Sequence, residues 1–363
     1  MTIYARGLVH GCLLVACSAF WACGSDPASP SAPSTDDSTD ATADAGSGGS
    51  KGSPDARVPP SKGGTTPGST TPGSTTPTKP RADAGGGALD PGSMSSLDAG
   101  AALPPASAFP AVMDPSKDGP YKAKTVSNAG PGSNYTIFQP DPLGADGVKH
   151  PILTWGNGGS TTPDWYTMLP HLATHGFVVV AANTVPSIGA EEALGTDMLT
   201  GMDWMLMQNT TQGSEYFGKL DSARVAPFGY SMGGLATWVI VGDPRWITTV
   251  HLSGGNMESG PVRIVKAHAP MFWECGTTDI AGANCDTDFM GLMSQSVFYG
   301  TLNDVDHLGI LEPGSSDIIS GAVTAWFRYY LMDDQTFKPW FVGADCTLCK
   351  DTKTWKVQKK NYE

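Results

Sequence analysis

The sequence predicts an α/β fold: a mostly parallel central sheet with helices on both faces, preceded by a disordered stalk. Three observations carry this prediction. Short apolar runs recur from about Phe109 to the C-terminus, longer stretches of helical spacing separate several of them, and the segment before Phe109 is too polar to bury a core. Strands alternating with helices imply parallel pairing, because a parallel connection must cross the sheet and a helix is the usual way to do so.

Residues 1–23 read as a signal peptide. Arg6 precedes an apolar run, Leu8 to Phe20, that is too short to span a bilayer and is followed by polar sequence, the pattern of an export signal. Leu14-Val15-Ala16-Cys17 resembles a bacterial lipobox, in which a small residue precedes the cysteine that is lipidated. Cys23, after Ala22, competes for that role because it leads straight into polar linker, although Phe20-Trp21 fits a lipobox less well than Leu14-Val15. A cleaved secretory signal with incidental cysteines is the alternative. The expected location is the bacterial outer membrane or cell surface as a lipoprotein, or the extracellular space.

Residues 24–108 consist almost entirely of Ser, Thr, Pro, Gly, Ala and Asp and include the repeat Thr65-Thr66-Pro67-Gly68-Ser69, Thr70-Thr71-Pro72-Gly73-Ser74. Such a segment lacks the apolar surface that would offset the entropy of ordering it, so it reads as a flexible stalk. The remaining stretch of about 250 residues suits one large domain over 109–345, followed by a tail over 346–363. A net charge of −13 with no basic run argues against nucleic acid or an anionic membrane as partner, leaving the membrane to a lipid anchor alone. A monomer is expected.

Within the domain, Tyr135 to Phe138, Ile152 to Trp155, Phe177 to Ala182, Val225 to Phe228, Ile247 to Leu252, Met271 to Cys275 and Val297 to Leu302 read as buried strands. Helical spacing covers Trp165 to Thr174, Glu191 to Gln208, Met232 to Val241, Asp288 to Ser296 and Ser316 to Met332. In open sheets of this kind ligands bind beyond the carboxyl ends of the strands.

At one such end stands Gly229-Tyr230-Ser231-Met232-Gly233, between an apolar run and a helix-compatible stretch. Strand, tight turn and helix are what a nucleophile elbow needs. Gly48-Gly49-Ser50-Lys51-Gly52 matches the same pattern but lies in the polar linker, without that context. A serine hydroxyl is a weak nucleophile at neutral pH and needs a base and a group to orient that base. Of the histidines after Ser231, His251 lies within a strand and His268 precedes the next strand at the wrong end of the sheet, so both read as structural or surface residues. His307 follows the last strand in Asp304-Val305-Asp306-His307, at the correct end, and is the expected general base.

Asp279 follows the strand Met271 to Cys275 and is the expected acid. Asp286 and Asp288 lie further along, where they could cap the next helix, and Glu274 is inside the strand. The amide of Met232 at the start of its helix is one oxyanion donor. The second is expected from Gly156-Asn157-Gly158-Gly159-Ser160, with the Asn157 amide preferred and Gly158 as the alternative. Gly158, Trp165 and Tyr230 are further candidates for contact with substrate.

Export permits disulfides, and short local loops favour Cys275 with Cys285 and Cys346 with Cys349, although spacing alone does not establish connectivity. The first pair would bracket Asp279. A Cys-x-x-Cys can also mean redox chemistry or half a zinc site, but here it is alone, without a second pair, so no metal is expected. The glycine-rich loop matches neither phosphate-binding pattern, and no cofactor is expected.

The stretch His150 to Gly233, with Leu172-Ala173-Thr174-His175-Gly176-Phe177-Val178-Val179-Val180 and Gly229-Tyr230-Ser231-Met232-Gly233-Gly234, resembles the bacterial cutinase and polyester hydrolase (PETase-like) branch of the α/β-hydrolases, which is related to dienelactone hydrolases and chlorophyllases. The likeness continues through Gly276-Thr277-Thr278-Asp279 and Asp306-His307. It implies an α/β-hydrolase fold, a metal-free serine esterase with an open site, and Met232 and Asn157 as the oxyanion amides. Two departures bear on substrate. Members that grip aromatic polyesters are similar in carrying an aromatic at the position of Asn157 and a tryptophan after the strand that here runs into Ser253-Gly254-Gly255-Asn256, and both are missing. Losing such a stacking clamp removes about 1 kcal/mol per face without touching acyl transfer, unless Trp155 or Trp165 substitutes. The tail with Cys346 and Cys349 departs from the family pattern as well.

The combined reading is an exported carboxylic ester hydrolase acting through an acyl-enzyme on an ester substrate. The alternatives are an amidase or acyltransferase with the same three residues, or a surface-displayed binding module on a hydrolase fold that has lost catalysis.

Overall fold

Nine strands form one sheet in the order β1-β2-β4-β3-β5-β6-β7-β8-β9 in the computed structural model, which describes residues 105–255 and 263–362. The signal peptide with Cys17 and Cys23, the linker up to residue 104, and Asn256 lie outside the described residues. The strands are β1 (Lys122–Ala129), β2 (Tyr135–Asp141), β3 (His150–Gly156), β4 (Val178–Ala182), β5 (Leu220–Tyr230), β6 (Thr249–Leu252), β7 (Met271–Gly276), β8 (Val297–Leu302) and β9 (Trp355–Lys360). Strands β3 to β8 pair in parallel, while β1–β2, β2–β4 and β8–β9 are antiparallel. This is the mostly parallel α/β-hydrolase arrangement that the apolar runs implied.

Strands β3, β4, β6, β7 and β8 are buried along their whole length, which explains why they read as unbroken apolar stretches. The edge strands β1 and β9 escape such reading. Their sequences, KAKTVSNA and WKVQKK, are polar on the face that water covers, and their lysines discourage pairing with another chain. Residues 346–363, expected as a tail, thus contribute the ninth strand, with Leu302 paired to Trp355.

Helices α1 (Met168–Thr174) and α5 (Ser315–Leu331) cover one face. Their apolar side chains meet Leu153, Phe228, Val250 and Phe298 of the sheet. Helices α2 (Glu191–Thr210), α3 (Met232–Ile240) and α4 (Gly282–Gly291) cover the other, against Ile152, Val180, Met271 and Trp273. Two short helices, α6 (Lys338–Phe341) and α7 (Thr347–Lys350), precede β9.

Two helix boundaries differ from expectation. The helix expected over Asp288 to Ser296 is α4, and its chain turns extended at Leu292. Cys285, Asp288 and Phe289 form its buried face at i, i+3, i+4 spacing, and the Cys275–Cys285 disulfide ties it to β7. Asp286 and Asp288 therefore sit inside the helix and not at its N-terminus. The helix expected from Trp165 begins at Met168, because Pro163–Trp165 forms a separate 3₁₀ turn. Cys346 and Cys349 are also bonded to each other.

His251 and His175 are buried as neutral groups. His251 lies between Trp238 and Trp273, with ring centroids 4.6 and 5.7 Å away. Burial pushes its pKa down to about 3, against a smaller opposing effect of its contact with the Gly234 carbonyl. Burial, then the neighbouring His171, lowers His175 to about 4. An unfolded histidine titrates near 6.5, so below that pH the unfolded chain binds more protons. Stability is therefore full above about pH 6.5 and falls with acidification, by about 1.4 kcal/mol per pH unit for each histidine, until the folded pKa values are reached. The urea midpoint is expected to fall steadily between about pH 6.5 and 5, a loss of about 2 kcal/mol per histidine. A flat midpoint across that window refutes the assignment. His268 is exposed.

Candidate active site

Ser231 sits in the turn between β5 and α3 with φ 52° and ψ −113°. A non-glycine residue there is strained, and the surroundings must hold it. They do so by close backbone packing. A Cβ on Gly233 would lie 1.8 Å from the carbonyl oxygen of Gly156, and one on Gly229 would lie 2.3 Å from the Gly233 carbonyl. Only glycines allow the start of α3 to press against the end of β3. The same contact brings the loop after β3 beside the elbow, where Gly159 lies close to the Met232 side chain.

His307, from the loop after β8, approaches the serine: Ser231 Oγ and His307 Nε2 are 2.8 Å apart. His307 Nδ1 is 2.7 Å from Asp279 Oδ1. The loops carrying the two residues are stitched together, since the Thr278 amide donates to the Val305 carbonyl and the Asp304 amide to Thr277 Oγ. The Cys275–Cys285 disulfide brackets the Asp279 loop.

The Asp279 side chain is 0% exposed and that of His307 13%. Burial pushes the Asp279 carboxyl upward, but the hydrogen bond from His307 and its charge, helped by Ser253 and the Ala281 amide, hold it below its ordinary value. An ionised carboxylate only accepts, so neutral His307 carries its proton on Nδ1 and leaves Nε2 free to accept from the serine hydroxyl. Glu274 lies within β7, and burial, then the Asp279 charge, raises its pKa well above the carboxylate range. Asp286 accepts from Tyr299 Oη instead of reaching a histidine. Asp304 and Asp306 are exposed.

The Met232 amide opens α3, where no intrahelical acceptor exists. Across from it the Asn157 side chain is buried and turned inward: Oδ1 accepts from Trp155 Nε1, and Nδ2 donates to the carbonyls of Ala182 and Thr184. The Gly158 amide donates to Tyr166 Oη at 2.8 Å, and Thr161 Oγ donates to the Gly158 carbonyl while pairing with Tyr166 Oη. Gly158 is thus committed to this small ring of hydrogen bonds. It faces Tyr166 and is withdrawn from both the oxyanion and substrate roles considered for it, leaving Asn157 as the loop's candidate donor.

Of the other two substrate candidates, Tyr230 is enclosed and Trp165 is half-buried. Tyr230 is 1% exposed, and its hydroxyl is bonded to the His307 carbonyl, so it offers no surface to a ligand. Trp165 packs against the core cluster beside α1. Trp155 is fully buried against Tyr166 and Phe228 and supplies no stacking face. Tyr166 and Thr161, which brace the loop, carried no local signal in the sequence because their contacts are tertiary. Among the described residues no group of three or more His, Cys, Asp and Glu could hold a metal ion.

The chain matches the family described as PETase, PET hydrolase-like, over residues 118–359. The match runs through Cys346, Cys349 and nearly all of β9, so the region expected to depart from the family lies within it. A bis(hydroxyethyl) terephthalate hydrolase from Streptomyces coelicolor is 23% identical over 195 residues, covering 53% of this chain and 59% of that protein. The chain thus spans less than two thirds of the relative's length.

Proposed function

The chain belongs to the PETase-like family of ester hydrolases, and on that premise we propose that it is a serine carboxylic ester hydrolase acting through an acyl-enzyme. The observation that supports this most directly is the unbroken hydrogen-bond chain from Ser231 Oγ through His307 to Asp279, at 2.8 and 2.7 Å. In this reading His307 Nε2 takes the hydroxyl proton as Ser231 Oγ attacks the ester carbonyl. The amides of Met232 and Asn157 donate to the tetrahedral oxyanion. Its collapse expels the alcohol, which leaves with the proton from His307, and water then repeats the sequence to release the acid.

The reading of substrate class rests on the oxyanion loop. The inward-facing Asn157 offers no ring for stacking. Ile280, next to Asp279, and Val185 and Ile188, in the loop bonded to Ser160 through the Pro186 carbonyl, are half exposed and apolar. Those side chains offer apolar area to either kind of ester, and it is the missing stacking ring at Asn157 that favours aliphatic acyl groups over aromatic diesters. The two disulfides suit an oxidising compartment, which supports export, with Cys17 or Cys23 as the lipid anchor.

The test is labelling of the protein with a fluorophosphonate, followed by p-nitrophenyl esters of increasing chain length and bis(hydroxyethyl) terephthalate. One adduct on Ser231 and faster turnover of the aliphatic esters are expected. Absence of an adduct on folded protein would replace the enzyme reading with that of a binding module. Faster hydrolysis of a matched amide would make it an amidase.

A further inference from the structure

We propose that Tyr230 is a positioning residue for His307, holding the base in register with the nucleophile through its main chain. The inference rests on the acyl-transfer reading above. His307 lies in a loop, and of the two hydrogen bonds to its ring nitrogens one must exchange partners during each turnover. The loop is tied on one side of His307 through Val305 and Asp304, and the main chain of His307 itself needs a tie as well, since loops move unless held.

Tyr230 provides that tie. Its hydroxyl donates to the His307 carbonyl at 2.5 Å, across 77 positions of sequence. The two rings also pack, with centroids 5.4 Å apart and planes tilted by 35°. Tyr230 is the last residue of β5, directly before Ser231, so one peptide unit connects the anchored backbone of the base to the serine. Its own ring is immobilised by Tyr166, at 5.9 Å in an edge contact, which in turn packs on Trp155. Gly158 seats against the same ring, so close that a Cβ there would lie 2.7 Å from it. The side chain therefore touches the loop of the base and the oxyanion loop, and is bonded through the backbone to the nucleophile. A phenylalanine would keep the ring packing and remove the hydrogen bond to His307. Misplacement of a general base by about 1 Å is enough to slow turnover by about 100-fold.

The experiment compares wild type with Tyr230→Phe in the full chain. It reads the rate of Ser231 labelling by a small fluorophosphonate, kcat and KM for p-nitrophenyl acetate from about pH 6 to 9, and the low-field Nδ1 proton of His307 by NMR. Labelling rate and kcat are expected to fall about 10- to 100-fold, with KM and the midpoint of the acid limb unchanged and the His307 proton signal broadened or shifted. Labelling within about twofold of wild type overturns the proposal. So does a raised KM at constant kcat, which would make Tyr230 a substrate contact. A wild-type protein that takes no label defeats the acyl-transfer reading itself, and this one with it. Should Tyr230→Phe not fold, the wild type still decides: the Tyr230 hydroxyl proton is expected to exchange slowly with solvent and to show a nuclear Overhauser contact to the Leu308 amide. A freely exchanging hydroxyl overturns the assignment.

Discussion

Replacing Ser231 by alanine is expected to lower the turnover of a short-chain p-nitrophenyl ester by about 10⁵- to 10⁶-fold while leaving the thermal unfolding midpoint near that of wild type. In the proposed mechanism the serine oxygen is the atom that forms the acyl bond, so its loss is not made up by neighbours. What remains is the contribution of substrate binding and of the Met232 and Asn157 amides, about 10³-fold over water. His307→Ala should cost about as much, and the double variant little more, because the two residues act as one unit. Asp279→Asn is a finer probe. It preserves shape, but an amide in place of the ionised carboxylate no longer holds the proton on His307 Nδ1, and a loss of about 10⁴-fold in kcat is expected. Steady-state kinetics with active-site titration checks all four variants. Wild-type turnover in Ser231→Ala would refute the serine mechanism.

Gly233→Ala is the substitution expected to damage the fold most. The added Cβ would stand 1.8 Å from the Gly156 carbonyl oxygen, a backbone atom on a central strand that has no room to retreat. Relief requires α3 to lift away from β3. That movement opens the core between the helix and the sheet and carries the Met232 amide away from the oxyanion loop. A loss of stability of about 4 kcal/mol or more is expected, with little soluble protein and negligible fluorophosphonate labelling. Gly213→Ala is the contrasting case. It has positive φ but open space around it, so the cost should be backbone strain of about 1 kcal/mol. Denaturant unfolding of the two variants side by side separates close approach from glycine content. Equal, small effects would show that the elbow tolerates an outward shift of α3.

The central strands were legible in the sequence because parallel strands covered on both faces must be apolar throughout, and that demand is local. Ser231 was legible as a candidate for the same reason: strand, glycine-flanked turn and helix are consecutive. Asp279 and His307 could be singled out because each follows a strand at the end where ligands bind, and the structure brings both into one hydrogen-bond chain with Ser231. Edge strands β1 and β9 were not legible, since a strand wet on one face and unpaired on one side needs no apolar run. The register of α4 also escaped, because Cys285 and its disulfide decide which face of the helix turns inward.

The sequence by itself determined the class of the fold, the elbow and the order of the candidate acid and base along the chain, since all three follow from residue type and local period. Tertiary structure alone decided how the side chains of Asn157, Tyr166 and Tyr230 and the backbone amide of Gly158 are engaged. Each of these groups is buried, and a buried polar group must find its partner wherever packing places one. For Tyr230 that partner is 77 residues away. No periodicity records such a distance, so the burial of Tyr230 and its bond to His307 could not be read from the sequence.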